Sequence, residues 1–152
     1  MKTKIPPPLV MIFFGICILL SKRVFPTIDF GIDYGAFTYF GFIFYILSAC
    51  LIVTSINAFR KKQTTVNPLK PDSASSLVTS GVFKITRNPM YLAMLLVLVG
   101  LTFQQNAPGG ILCAVLFIIY ITKFQIVPEE EAMSKLFGDM FDDYKNKVRR
   151  WI

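Results

Sequence analysis

Residues 86–101 read T-R-N-P-M-Y-L-A-M-L-L-V-L-V-G-L, with an arginine and an asparagine at the mouth of an uninterrupted apolar run. Pro89 suits the first turn of a helix, where a missing N–H costs nothing, and Asn88 before it is of the type that caps helix starts. Arg87 can lay its stem along lipid while its charge stays in water, and Tyr91 suits an aromatic belt at a membrane surface. Interfacial anchoring thus explains each residue singly. It does not explain the apolar stretch just upstream, L-V-T-S-G-V-F at 77–83. There Val78, Val82 and Phe83 point to a loop folded against something, and Gly81 permits a tight backbone path.

The rest of the chain repeats the apolar theme. Of 152 residues, 54% are hydrophobic and 16% charged, a balance typical of membrane proteins and rare in soluble domains of this size. Mean hydropathy is +0.57. Against the ~20 apolar residues needed to cross a bilayer, four stretches qualify, at about 9–20, 35–59, 90–104 and 111–127. The first and third are short, so tilt or local thinning must make up the length. Lys123 lies near the end of the fourth, within snorkelling reach of the interface. Lys2 and Lys4 ahead of an apolar core resemble a signal peptide, but S-K-R-V-F-P follows where a small-x-small cleavage site would stand. The expectation is one domain over 1–152. Its fold class is all-α, a polytopic membrane helical bundle of about four transmembrane helices with a C-terminal cytoplasmic amphipathic helix.

The net charge of +7 is gathered in blocks. Lys2 and Lys4 precede the first span; Arg60, Lys61, Lys62, Lys70, Lys84 and Arg87 lie between the second and third. Lys135, Lys145, Lys147, Arg149 and Arg150 follow the fourth. With four spans these all fall on one side, which the positive-inside rule makes cytoplasmic, along with both termini. A bacterial-type inner membrane is the expected location and the lipid bilayer the expected partner, with no nucleic acid. Cys17, Cys50 and Cys113 stand singly in apolar runs and read as small hydrophobes. With no histidine in the chain the usual zinc sets cannot be assembled, so no metal is expected.

After the fourth span, Pro128 suits the first turn of a new helix, and Glu129, Glu130 and Glu131 favour its positive end. Met133, Leu136, Phe137, Met140, Phe141, Tyr144, Val148 and Trp151 recur at spacings of three and four, an amphipathic stripe in which Gly138 is a potential kink. At about 100° per residue, Glu129 and Glu130 flank that stripe and Glu131 faces water. From this segment alone, helix capping is the favoured account of three acids at this place, ahead of a pair of carboxylates aimed at a site.

The two segments together carry a resemblance. L-V-T-S-G-V-F-K-I-T-R-N-P-M-Y resembles the T-x-G-x-Y…R-H-P-x-Y signature of the isoprenylcysteine carboxyl methyltransferase and phospholipid methyltransferase family. The tail, E-E-E-A-M-S-K-L-F-G-D-M-F-D-D-Y, is similar to that family's E-E-x-x-L-x-x-x-F-G-x-x-Y-x-x-Y. The resemblance implies that the part from about residue 75 to 152 encloses S-adenosylmethionine on the cytoplasmic side, while a lipid-like hydrophobic substrate enters from the bilayer. It implies cofactor contacts for Ser75, Ser76, Leu77, Val78, Gly81, Phe83, Asn88, Pro89, Met90, Tyr91, Glu129 and Glu130. Arg87, Tyr91 and Glu130 are the catalytic candidates. Phe83 stands where the family usually has tyrosine and Asn88 where it has histidine. Gln125 stands at the substrate-binding position that is arginine in the prenylcysteine branch.

Methyl transfer is compatible with a chain lacking imidazole. It is an in-line displacement, for which positioning and water exclusion supply much of the acceleration. A carboxylate or thiolate acceptor needs no general base; an amine must first lose a proton, with Glu129, Glu130, Tyr91 or water to take it. The alternatives are a non-catalytic four-span scaffold or binding protein, and a membrane reductase of related helical arrangement. The latter would use a nicotinamide cofactor without the G-x-G-x-x-G fingerprint.

Overall fold

The computed structural model describes residues 5–25, 34–63 and 76–152, and among them every regular element is helical. Four apolar helices make the bundle: α1 (Pro7–Ser21), α2 (Tyr34–Lys61), α3 (Pro89–Gln104) and α4 (Gly109–Ile121). Proline opens both α1 and α3 in the first turn, where its fixed φ suits the helix. The stretches 35–61 and 109–137 are long and apolar enough to cross a membrane. The helices α1 and α3, at 15 and 16 residues, are as apolar but shorter. At 1.5 Å per residue they rise only about 22–24 Å.

Small residues set the spacing of the bundle. Where α2 crosses α3, a Cβ on Gly41 would lie 2.8 Å from the Gly100 carbonyl oxygen, and one on Gly100 would lie 2.7 Å from the Tyr45 ring. One helix backbone therefore rests directly on the other, the mode by which helices associate in lipid. Ser48 donates to the Ala93 carbonyl at 2.8 Å, and Tyr45 donates to Gln104 at 2.9 Å. Helices α1, α3 and α4 enclose a second contact zone built on Val10, Phe14, Ile18, Leu98, Phe117 and Ile121. The outward faces remain apolar: Leu9, Phe13, Tyr39, Ile46, Val53, Ile111 and Ile119 are all exposed. A surface of this kind is matched to hydrocarbon.

Two expectations about the tail are corrected. First, Pro128 does not start a new helix. The fourth helix runs on through a π-turn, Thr122–Ile126, into α5 (Val127–Phe137), in which Val127 N–H reaches back five residues to the Thr122 carbonyl. A proline within an α-helix lacks one hydrogen bond and drives its ring into the carbonyl four residues back. The wider π-turn directly upstream relieves that clash. Second, the amphipathic stripe is not one helix. Gly138, at φ +53° and ψ −131°, ends α5, and α6 (Asp139–Lys147) starts in a new direction. Phe141 and Tyr144 are thereby buried, whereas Leu136 and Met140 are left exposed.

The change of direction builds a separate, smaller core at one end of the bundle. Ala58 from the end of α2, Val78 and Phe83 from the loop before α3, and Phe141, Tyr144 and Val148 from the tail pack together. Gly81, at φ +63°, turns the loop into a single 3₁₀ turn, 81–84, that sets the Phe83 ring edge-on against Phe59 at 5.3 Å. This headpiece answers what the apolar loop 77–83 folds against.

Candidate active site

The segment Thr86–Asn88 and the end of the tail are laced together backbone to side chain. Arg87 N–H donates to the Arg149 carbonyl at 3.1 Å. The Asn88 amide Nδ2 donates to the Arg150 carbonyl at 2.9 Å, and the Thr86 hydroxyl donates to the same carbonyl at 3.3 Å. Asn88 therefore does not cap α3 with its side chain as its position implies. Its amide is used 62 residues away in sequence.

Glu130 sits between two guanidiniums. Arg87 Nη2 reaches Glu130 Oε1 at 2.8 Å, while Arg150 grips both oxygens, Nε to Oε1 at 3.1 Å and Nη2 to Oε2 at 2.6 Å. Arg87 Nη1 also donates to the Lys145 carbonyl at 3.2 Å. The bond from Glu130 raises the Arg150 pKa above its ordinary value and keeps it charged. The side chains of Arg87 and Glu130 are 11% and 16% exposed, so removing either would leave the other charge poorly hydrated. Beneath them the Tyr144 hydroxyl donates to the Phe83 carbonyl at 2.6 Å, and burial pushes its pKa up to about 12.

Glu129, one residue earlier, has different surroundings. The buried Tyr91 donates to it at 2.5 Å, and among the described residues no cation lies within ion-pair distance. Glu131 is exposed, so the helical phase of the acid triplet is as the periodicity requires. One turn before Glu129, on the π-turn, Gln125 is buried. Its Nε2 donates to the Ile5 carbonyl at 2.7 Å, while its Oε1 has no partner among the described residues. Arg87 Nε likewise lacks a partner among them. The two orphaned atoms are one acceptor and one donor. Trp151 closes the region by donating to Thr122 at 3.1 Å.

Of the residues expected to line a cofactor, Ser75 lies outside the described residues. Ser76 donates to the Lys62 carbonyl at 3.1 Å, joining the loop to the end of α2. Leu77, Val78 and Phe83 belong to the headpiece core, and Gly81 is exposed at its turn. Pro89 is buried and Met90 half-buried at the start of α3. Tyr91, Glu129, Arg87, Glu130 and Asn88 are joined by the contacts just described. Thr86, Tyr144 and Arg150 were not among the expected residues. Tyr144 was legible as the last tyrosine of the tail pattern; Arg150 had no local signal, since its partner lies 20 residues away across the Gly138 break. A separate open groove of about 380 Å³ between α5 and α6 is lined by Val127, Glu130, Glu131, Ser134, Lys135 and Lys145, not by Glu129 or Tyr91.

The structure is thus an apolar helical bundle with a polar, carboxylate-bearing cluster at one end. A family model for phospholipid methyltransferases matches residues 36–140, and the chain belongs to that family. The match takes in α2, the loop, Tyr91 and both inward glutamates. Protein-S-isoprenylcysteine O-methyltransferase B of Arabidopsis thaliana is 28% identical over 112 residues, 72% of this chain and 55% of that enzyme. The chain thus spans about half the length of that relative. An uncharacterized protein of Haemophilus influenzae is 41% identical over 63 residues, 41% of this chain and 100% of its own length. No solved structure matches. At the level of class, the chain is a membrane methyltransferase.

Proposed function

We propose that the chain is an S-adenosylmethionine-dependent methyltransferase of a single domain, 1–152, crossing the membrane four times with its headpiece on the cytoplasmic side. Its acceptor is a lipid-like molecule with an amine head. The observation that carries the reading is the contrast between the two inward glutamates. Glu130 is neutralised by Arg87 and Arg150, while among the described residues Glu129 is bonded by the Tyr91 phenol and by no cation. A half-buried carboxylate without a cation favours a ligand that brings positive charge or hydrogen-bond donors.

The donor set fits the cofactor that the family implies. Glu129 suits a cationic or hydroxyl-rich group, and the orphaned Arg87 Nε suits a carboxylate. Tyr91 holds Glu129 in place, and Asn88, Thr86 and the Arg87–Glu130–Arg150 clamp fix the loop against the tail. Ser76, Leu77, Val78, Gly81, Phe83, Pro89 and Met90 act as the frame of that loop, and Ser75 extends it. When bound, S-adenosylmethionine supplies a methyl group on a sulfonium sulfur.

An amine is favoured over a carboxylate acceptor by the charges at hand. Both guanidiniums near the site are already paired with Glu130, and the remaining Arg87 Nε is taken by the cofactor's carboxylate in this reading, so no guanidinium donor is left for an acceptor carboxylate. An ammonium head, in contrast, finds the acceptor oxygens of Glu129 and Gln125. Glu129 takes the proton that must leave the ammonium before its nitrogen can attack, and the apolar bundle excludes water from the lone pair so exposed.

The test is titration of the purified protein with S-adenosylmethionine in detergent, followed by transfer of labelled methyl to a panel of phospholipid amines, prenylcysteines and thiols. Glu129→Gln should weaken cofactor binding at least tenfold while the fold stays intact, the loss of one charge-assisted bond. Wild-type binding that is absent, or unchanged by Glu129→Gln, would sink the reading. Labelling of prenylcysteines alone would overturn the choice of acceptor.

A further inference from the structure

The headpiece carries a second surface that methyl transfer does not use. Arg60 and Lys61 end α2, Lys62 follows it, Lys84 closes the 3₁₀ turn, and Arg149 follows α6; all five are exposed. Among the described residues none of them makes an ion pair. They belong to one neighbourhood. Phe59, next to Arg60, packs on Phe83, next to Lys84, with ring centroids 5.3 Å apart. The Lys62 carbonyl accepts from Ser76, and the Arg149 carbonyl accepts from Arg87. Next to Lys84, Ile85 is 66% exposed, an apolar side chain that the described residues leave uncovered.

The place of this surface along the bundle decides its partner. The exposed face of α2 is apolar through Ile52 and Val53, and the first cation, Arg60, follows about two turns later. The collar therefore lies where the hydrocarbon ends and headgroups begin. Five cations without an ion pair among the described residues, together with an exposed isoleucine beside Lys84, are complementary to an anionic membrane surface, into which Ile85 can dip.

We infer that this collar binds anionic phospholipid headgroups of the adjacent leaflet, and that the bound lipid fastens the loop 76–85 on which the site is framed. The link is mechanical. A lipid that bridges Lys84 to Arg60 and Lys61 restrains the same loop that Ser76 and Phe83 tie to α2.

The experiment places the full chain in nanodiscs of phosphatidylcholine, alone or mixed with phosphatidylglycerol, and follows amide exchange of residues 76–85 and retained lipid by native mass spectrometry. Phosphatidylglycerol should slow exchange in the loop and be retained preferentially. Arg60→Gln/Lys61→Gln/Lys84→Gln should weaken that preference roughly a hundredfold, at about fivefold per cation. The lysine-to-arginine variants Lys61→Arg/Lys84→Arg should keep it, and Lys22→Gln/Arg23→Gln, at the other end of the bundle, should leave loop exchange unchanged. Raised salt should abolish the difference between the two lipids by screening. Equal loop exchange in both lipids, or a triple variant that still responds to phosphatidylglycerol, overturns the inference. Release of the lipid by millimolar inorganic phosphate overturns the membrane as the partner. None of these readouts requires turnover, so the inference fails or stands separately from the proposed activity.

Discussion

The bundle and the headpiece are two cores of one chain, held together by opposite means. Around Gly41, Gly100, Leu98 and Phe117, cohesion comes from backbones brought into contact by small residues. Around Phe83 and Tyr144 six buried side chains are cross-linked by polar bonds that reach 58 to 64 residues along the sequence. The difference follows from the solvent. In lipid, apolar surface gains nothing by leaving its surroundings, so helices associate by close packing and an occasional hydrogen bond such as Ser48 to Ala93. Near water, burial of apolar area does drive association, but the headpiece is too small to rely on it and adds the Arg87–Glu130–Arg150 clamp. The site lies where the two regimes meet.

The sharpest way to break this comparison is Glu130→Ala. It leaves Arg87, only 11% exposed, without its carboxylate, and breaking a buried pair in this way costs on the order of 3 kcal/mol. Amide exchange in residues 139–150 should rise steeply while α1, α3 and α4 stay protected. Loss of protection in the bundle as well would show that the cores are a single cooperative unit. Gly100→Ala should act on the other core, since its Cβ would press on Tyr45 and on the Gly41 carbonyl. A cost of about 1–3 kcal/mol from overpacking is expected, seen as a lower melting temperature in detergent with headpiece exchange unchanged.

A smaller effect is expected of Tyr144→Phe, which keeps the ring but leaves the Phe83 carbonyl without its donor. About 1 kcal/mol, confined to loop and tail exchange, is the scale for one such bond. The smallest is Asp142→Asn. Its hydrogen bond with Lys145 holds the Asp142 carboxyl below its ordinary value. Whatever the pair contributes is therefore present above the ordinary carboxylate range and lost as pH falls through the lowered value. On a group this exposed, water screens the gain, and the exchange profile at neutral pH should match wild type.

The apolar helices were legible because hydrophobicity and proline placement are local. Pro89 begins α3 as its position predicts, and the inward turn of Glu129 and Glu130 follows from counting along one helix. What could not be read depends on distant partners. Asn88 looks like a helix cap, but its amide finds a carbonyl on the far side of the headpiece. Leu136 and Met140 fit the apolar stripe, yet Gly138 turns the chain before that stripe can be buried as one face. Arg150 looked like one more positive-inside residue and is one jaw of the clamp.

The π-turn bears on how this chain tolerates gain and loss of residues. Gln125 and Ile126 are adjacent in sequence and both buried, at 1% and 0% exposure, where an ideal helix would point one of them about 100° away from the other. The turn has absorbed one surplus residue, so that sequence count and helical phase fall out of step by one between α4 and α5. A single deletion among Thr122–Ile126 would restore an ordinary α-turn and leave Glu129 and Glu130 facing inward. The same deletion a few residues later, between Ala132 and Phe137, finds no bulge to absorb it and would turn Gly138 and α6 about 100° relative to Glu130. Length is thus negotiable at the bulge and fixed just beyond it.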